Sequence, residues 1–297
     1  MSSVYTIQRN NRTRTTIIIM AFIALTTLVG YTASLYFRSY GFALFAFGLS
    51  LVQSLIAYYV GDKVALAISQ AQEIKYEDSP QIFEMVQNLS KIAGIPTPRV
   101  YISPDRSANA FACGRDPEHA SICLNQGILD LLNKNELEGV IAHELSHVAN
   151  RDTLVMTVTM VLASVISFLV DIMFRISFFG FGGDDEDRNI QPWVFVLWIA
   201  LVILAPVLAM LMQLAVSRSR EYLADATAVS YTRYPEGLIS ALQKLYSQRR
   251  PADIQASSMN SLYISPARQR GAANFFSNLL STHPSIEDRI ANLKGEK

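Results

Sequence analysis

The sequence predicts a mainly α-helical membrane protein, in which transmembrane helices carry a soluble metal-binding domain with a small β-hairpin. Three observations predict it. First, 51% of the 297 residues are hydrophobic and 17% are charged, an apolar excess for a chain of this size. Second, the excess is gathered into four long runs rather than spread along amphipathic elements. Third, His143-Glu144-Leu145-Ser146-His147 reads H-E-x-x-H. On a helix this spacing puts both histidines on one face, where together they can grip one metal ion. Two of the chain's four histidines (His119, His143, His147, His283) fall in this one pattern.

Composition also excludes. Lys plus Arg and Asp plus Glu balance at 25 each, so no basic surface points to nucleic acid. Two cysteines, Cys113 and Cys123, make neither a disulfide framework nor a C-x-x-C pair, and read as buried thiols in a reducing compartment. No G-x-x-x-x-G-K-[ST] stretch occurs, so an ATP-driven unfoldase within this chain is not expected.

The first apolar run is Thr16 to Phe37 and the second Gly41 to Val60, joined by Arg38-Ser39-Tyr40. Each reaches the roughly 20 residues that cross a bilayer as a helix, so residues 1–62 are expected to form a transmembrane hairpin. Arg9, Arg12 and Arg14 precede it. The first run is longer than a signal-peptide core and no A-x-A-like site follows, so an uncleaved anchor is expected. The same arginines place the N-terminus in the cytoplasm. Two crossings then leave residues 63–151 on the cytoplasmic side.

In that segment, 61–78 reads as a polar connector. Ser79-Pro80 opens a helix that Gly94 ends, with Ser79 as cap. Arg99 to Ile102 reads as a strand, followed by a hairpin of 107–114 and 120–124 with its turn at Arg115 to Glu118. Such an edge can pair with an extended peptide, although a plain structural hairpin is the default. Asn125 to Leu132 reads as a short helix. From Asn133 a second helix carries the H-E-x-x-H motif, and is expected to continue through Asn150-Arg151-Asp152 towards the membrane.

The third run, Thr153 to Val170, and the fourth, Pro192 to Val216, make a second hydrophobic hairpin over 152–216. It is expected to span, with the acidic loop 182–188 outside. Arg218 and Arg220 then mark the return to the cytoplasm, and residues 217–297 complete the soluble domain. Pro235 opens another helix. Residues 249–281 lose periodicity and read as a long loop, a candidate lid. A final helix follows His283-Pro284.

A catalytic zinc takes three protein ligands and leaves one position for water. The residues after His147 exclude a third histidine at H-x-x-G-x-x-H spacing. A carboxylate from a later helix is the other solution. Glu221 and Asp225 in Ser217-Arg218-Ser219-Arg220-Glu221-Tyr222-Leu223-Ala224-Asp225-Ala226 share one helical face. Glu221 could bind the metal and Asp225 could accept a hydrogen bond from a ligand histidine. Glu236 and Glu287 are the rivals. Glu144, beside His143 but rotated from the metal, can take a proton from water there. Under the family resemblance given below, His283, Arg218 and Arg289 are candidates to stabilise an oxyanion, and the sequence does not choose among them. A lone histidine before a helix, such as His283, is by default a cap or a surface residue.

These residues carry a family resemblance. The N-terminal hydrophobic pair, Asn109-Ala110-Phe111-Ala112, His143-Glu-Leu-Ser-His147, the second hydrophobic hairpin, Ser217-Arg-Ser-Arg-Glu221-Tyr-Leu-Ala-Asp225-Ala and Thr282-His-Pro-Ser-Ile-Glu-Asp-Arg289 come in the order found in HtpX-type membrane metalloproteases, relatives of the CaaX prenyl protease. The chain resembles that family over nearly its whole length. The resemblance implies a zincin-like (gluzincin) metalloprotease domain, one Zn2+ per chain held by His143, His147 and Glu221, and Glu144 as general base. It implies that Asn109 and its strand meet the substrate backbone, and that His283 and Arg289 lie near the site. It further implies an endoprotease of the bacterial inner membrane, facing the cytoplasm, that turns over misfolded or damaged membrane proteins. A separate ATP-dependent membrane protease as partner is left open by the sequence. A CaaX-type prenyl-peptide protease and a non-catalytic, metal-stabilised membrane scaffold are the alternatives. The oligomeric state is not set by the sequence.

Overall fold

The computed structural model describes residues 4–165, 218–248, 262–264 and 284–295. The fourth apolar run, the acidic loop 182–188, His283 and all but three residues of the expected loop 249–281 lie outside the described residues.

The N-terminal hairpin forms as expected. Helix α1 (Val4–Phe37) and helix α2 (Gly41–Tyr59) turn at Arg38, whose φ is 53°. Asn11–Thr32 and Gly41–Tyr59 are each long and apolar enough to cross a membrane. The two helices touch where Gly30 faces the second: a Cβ there would lie 2.8 Å from the Phe42 carbonyl oxygen. Phe42, Leu44, Phe45, Leu51 and Leu55 point away from the protein, as a helix solvated by lipid requires.

The expected connector is partly ordered. Gly61–Ile68 is a helix, α3. Its eight residues are too few for a periodic pattern to stand out from the polar composition that follows. Gln72–Glu73, β1, then pairs antiparallel with Arg99–Ser103, β2. Helix α4 (Pro80–Ala93) lies between them in sequence. Ser79 occupies its N-cap position but its side chain makes no capping hydrogen bond, so Pro80, with its φ already near helical, starts this helix.

The expected hairpin is β3 (Ala110–Cys113) and β4 (Ser121–Asn125), antiparallel, joined through a 3₁₀ turn at Pro117–His119. Strand β4 also pairs in parallel with β2, giving the order β1-β2-β4-β3. Both cysteines are free and buried. Burial pushes the Cys123 thiol up to about 12, which keeps it inert.

After the short helix α5 (Gln126–Leu131), α6 (Lys134–Ala149) packs against strand β3 and helix α4. A capping box starts α6: Asn133 Oδ1 accepts from the Glu136 N–H at 3.0 Å, and Glu136 Oε2 accepts from the Asn133 N–H at 2.8 Å. From Val140 to Val148 every residue is buried, because the sheet and helices pack around α6 on all sides. One core gathers Val140, Ile141 and Leu145 with Ile122, Leu124, Leu238 and Leu242. A second core joins α1 and α3 to the residues after α6.

Helix α6 does not continue through Asp152, contrary to expectation. It ends at Ala149, Arg151 takes φ 58°, and helix α7 (Thr153–Val165) leaves at an angle of 89°. The turn closes on itself: the Asp152 N–H donates to the His147 carbonyl at 2.9 Å. Asp152 thereby points back at the motif rather than onward to the membrane. Residues 153–163 are all buried, so the described part of the third apolar run is covered by protein. The chain resumes in α8 (Arg218–Thr232), α9 (Pro235–Ser247) and α10 (Ile286–Leu293). Helix α9 lies close on α6, where a Cβ on Gly139 would come within 2.9 Å of the Leu238 nitrogen.

Candidate metal centre

The two motif histidines sit one turn apart on α6, their rings 4.8 Å apart. Helix α8 brings Glu221 to them. One Glu221 oxygen lies 3.7 Å from His143 Nε2, and the other 3.6 Å from His147 Nε2. These three side chains are buried and each offers a donor atom within 4.8 Å of the others. Both rings therefore turn the same nitrogen inwards. Their other nitrogens each face a carboxylate: His143 Nδ1 lies 3.0 Å from Asp225 Oδ1, and His147 Nδ1 lies 3.2 Å from Asp152 Oδ2. A ring nitrogen held by a carboxylate fixes the tautomer and leaves Nε2 free to ligate.

Each of those carboxylates in turn meets an arginine. Arg289, on α10 and 1% exposed, donates from Nε and Nη2 to the two Asp225 oxygens at 2.8 and 2.6 Å, and from Nη1 to the Ile264 carbonyl at 3.2 Å. Arg220, the residue before Glu221, reaches Asp152 Oδ1 at 3.7 Å. The centre thus buries four carboxyl groups, Glu144, Asp152, Glu221 and Asp225, with two guanidiniums. Among the described residues, with both histidines counted as neutral ligands and all four carboxyls as ionised, the positive groups fall two short of the negative ones. One divalent cation fits that deficit, and a donor set of two imidazoles and a carboxylate suits zinc.

The electrostatics follow from this crowding. Burial pushes the Glu144 carboxyl up to about 7; charge on His147 and a hydrogen bond from the Ala112 N–H oppose the shift, while Glu221 adds to it. Burial resists a charge on His147, but its hydrogen bond to Asp152 and the fields of Glu221 and Asp152 outweigh it and raise the ring to about 9. The same field that favours a proton there favours a metal cation. For Asp225, burial is overcome by Arg289, which holds the carboxyl below its usual range.

Of the residues singled out in the sequence, the fold brings His143, Glu144, His147, Glu221, Asp225 and Arg289 together. Asn109 lies just before β3 and is buried, its carbonyl accepting from the Asn125 N–H at 3.0 Å. Strand β3 packs on α6, and its edge carries the Ala112 N–H towards Glu144 and the Ala110 carbonyl, which accepts from the Ile264 N–H at 3.3 Å. Arg218 is in the first turn of α8, one turn before Glu221; its side chain, like His283, lies outside the description. The rivals Glu236 and Glu287 are exposed on other helices. Sequence reading missed Asp152, Arg220 and Asn11. Asn11 joins Asp152 through a hydrogen bond from Nδ2 to Oδ1 at 2.8 Å. The signal present in the sequence is an aspartate five residues after His147, which a helix continuing through it would not turn back to the motif.

Comparisons with known proteins place the chain in a peptidase family. The model of peptidase family M48 matches residues 76–297. A protease HtpX homolog of Lactobacillus acidophilus is 41% identical, over 97% of this chain and 98% of that protein. The homolog of Tropheryma whipplei (strain Twist) is 41% identical over 98% of each, and that of Nostoc punctiforme 44% identical over 83% of each. Among solved structures, the crystal structure of S. mikatae Ste24p shares the fold, with a TM-score of 0.50 at 19% identity. The match covers 91% of this chain and 62% of that one.

Proposed function

The chain belongs to peptidase family M48 and is a membrane metalloprotease, and from that premise we propose a zinc endopeptidase that cleaves misfolded or damaged membrane proteins at the cytoplasmic face of a bacterial inner membrane. The observation that carries this reading is the buried group of His143, His147 and Glu221 with Glu144 beside it.

In this reading His143, His147 and Glu221 hold zinc. When bound, zinc supplies charge that polarises a scissile carbonyl and lowers the pKa of water at the site towards 7. Glu144 takes a proton from the attacking water and passes it to the leaving amine. Burial raises this carboxyl, which favours its taking a proton at neutral pH. Asp225 orients His143, and Arg289 holds Asp225 in place and faces Glu221 at 3.7 Å. Three of the five Arg289 N–H groups go to Asp225 and Ile264, which makes it an organiser of the centre. Asn109 and the edge of β3, where Ile264 now pairs with the Ala110 carbonyl, would align the substrate backbone as an added strand in place of that pairing.

The cytoplasmic assignment rests on the basic lead Arg9, Arg12 and Arg14 and on the two spans that follow. Division of the chain into an anchor (1–62), a first catalytic part (63–151), a second hydrophobic hairpin (152–216) and a second catalytic part (217–297) belongs to the same reading. Residues 152–163 qualify it: they pack as part of the protein interior.

The test uses purified full-length protein and a model membrane-protein substrate. Glu144→Gln should keep its zinc and lose cleavage by about 10²–10⁴-fold, the usual worth of a general base. Undiminished proteolysis by that variant would remove Glu144 from the mechanism. Glu221→Ala should lose its zinc by elemental analysis, and retained zinc would remove Glu221 from the ligand set.

A further inference from the structure

The metal centre has a built pattern on one side: His143 is held by Asp225, and Asp225 by Arg289. A second set mirrors it on the other side. His147 Nδ1 faces Asp152 at 3.2 Å, and Asp152 faces Arg220 at 3.7 Å. The second set differs in one respect. Its arginine is too far from the carboxylate for a strong hydrogen bond, and a third side chain closes the gap. Asn11, 4% exposed on the first membrane helix, donates from Nδ2 to Asp152 Oδ1 at 2.8 Å. Its Oδ1 accepts from Arg220 Nη1 at 3.5 Å. The same Nδ2 lies 3.4 and 3.5 Å from the carbonyls of Asn150 and Arg151. Those carbonyls belong to the turn whose left-handed residue, Arg151, sends Asp152 back towards His147.

We propose that Asp152 is the positioning carboxylate for His147, and that Asn11 holds it there, so that the first membrane helix is a working part of the metal centre rather than only its anchor. The inference rests on the reading of His143, His147 and Glu221 as the metal ligands. Asn11 is suited to this place. Its amide offers a donor to the carboxylate and an acceptor to the guanidinium at once, which neither an aspartate nor a lysine does. It is also the first residue of the candidate span Asn11–Thr32. A shift of α1 along the membrane normal would therefore pull on Asp152 and, through it, on the ring of His147.

The test reads metal affinity, not proteolysis. Full-length protein in detergent, as wild type, Asp152→Asn, Asn11→Ala and the double variant, is titrated with zinc against a competing chelator, and the cobalt(II) form is examined by visible absorption. Asp152→Asn should weaken zinc about 10- to 100-fold, as loss of such outer partners does elsewhere. Asn11→Ala should weaken it about 3- to 10-fold, the worth of one ordinary hydrogen bond. Both should shift the cobalt bands. In the Asp152→Asn background, Asn11→Ala should change affinity less than about 2-fold, because the two residues act in series. Thr16→Ala, on the exposed side of the same helix, should change nothing.

Equal factors in both backgrounds would mean that Asn11 merely docks a helix, and would overturn the inference, as would an Asn11→Ala protein with wild-type affinity and spectrum. Should the alanine variant fail to fold, Asn11→Asp keeps the shape and removes the donor; unchanged affinity there overturns the inference equally. A wild-type protein that binds no zinc would overturn it together with the reading it rests on.

Discussion

Arg289 shows how a single residue can govern the centre from far along the chain. It is buried, bidentate on Asp225 and 3.7 Å from Glu221, so its loss leaves two carboxylates facing each other without that cation. Breaking a buried pair by removing one partner costs about 3–5 kcal/mol. Arg289→Met should therefore lower unfolding stability by about that amount, measured by denaturant titration in detergent. A cost under about 1 kcal/mol would mean that the guanidinium only passes near these groups. At this scale the sequence is informative where residues sit in one local pattern. His143, Glu144 and His147 share a turn and a half of helix, and Glu221 and Asp225 are four apart. Arg289 was reached through resemblance alone. Asn11 and Asp152 were not reached at all: they lie 141 positions apart, and nothing local in either segment marks the other.

Helix α6 is the element on which the centre depends, and its register is set at its first turn. Glu136, 3% exposed, closes the capping box and also accepts from Lys244 Nζ at 2.8 Å and Ser240 Oγ at 2.7 Å on α9. Burial tends to raise this carboxyl, but those donors and the Asn133 N–H bring it below its ordinary value. A carboxyl depressed in the folded state contributes stability that is present above its unfolded pKa. That contribution fades as pH falls through the lower folded value. Glu136→Gln should thus cost about 1–2 kcal/mol at pH 7. The variant should also lose less stability than wild type on acidification below about pH 4. Parallel stability curves from pH 7 to pH 3 would show that Glu136 caps without being ionised. The start of α6 was legible because Asn133 and Glu136 stand at capping-box spacing. Its end was not. Neither glycine nor asparagine marks the left-handed position, which is Arg151, so the turn is imposed by tertiary partners rather than announced by the residues that make it.

At the scale of the whole molecule, the centre is assembled from segments that an unfolded chain keeps apart: α6 brings His143 and His147, α8 brings Glu221 and Asp225, α10 brings Arg289, and α1 brings Asn11. The N-terminal helical hairpin was legible from run length, and the metal-binding helices from motif order. Their contact at Asn11 was not legible, because hydropathy reports only what a span avoids. This assembly makes metal binding a term in global stability. A cation that binds the folded arrangement and not the unfolded chain stabilises by about 4 kcal/mol at 1,000 times its dissociation constant. For a protein of this size each kcal/mol moves the midpoint by roughly 2–4 °C, so saturating zinc should raise Tm on the order of 10 °C, and a chelator should reverse it. Glu221→Ala, lacking a ligand, should show little of that zinc dependence. Should wild type and Glu221→Ala respond to zinc alike, the stabilisation would come from surface sites, and the convergence of these four helices would owe nothing to the metal.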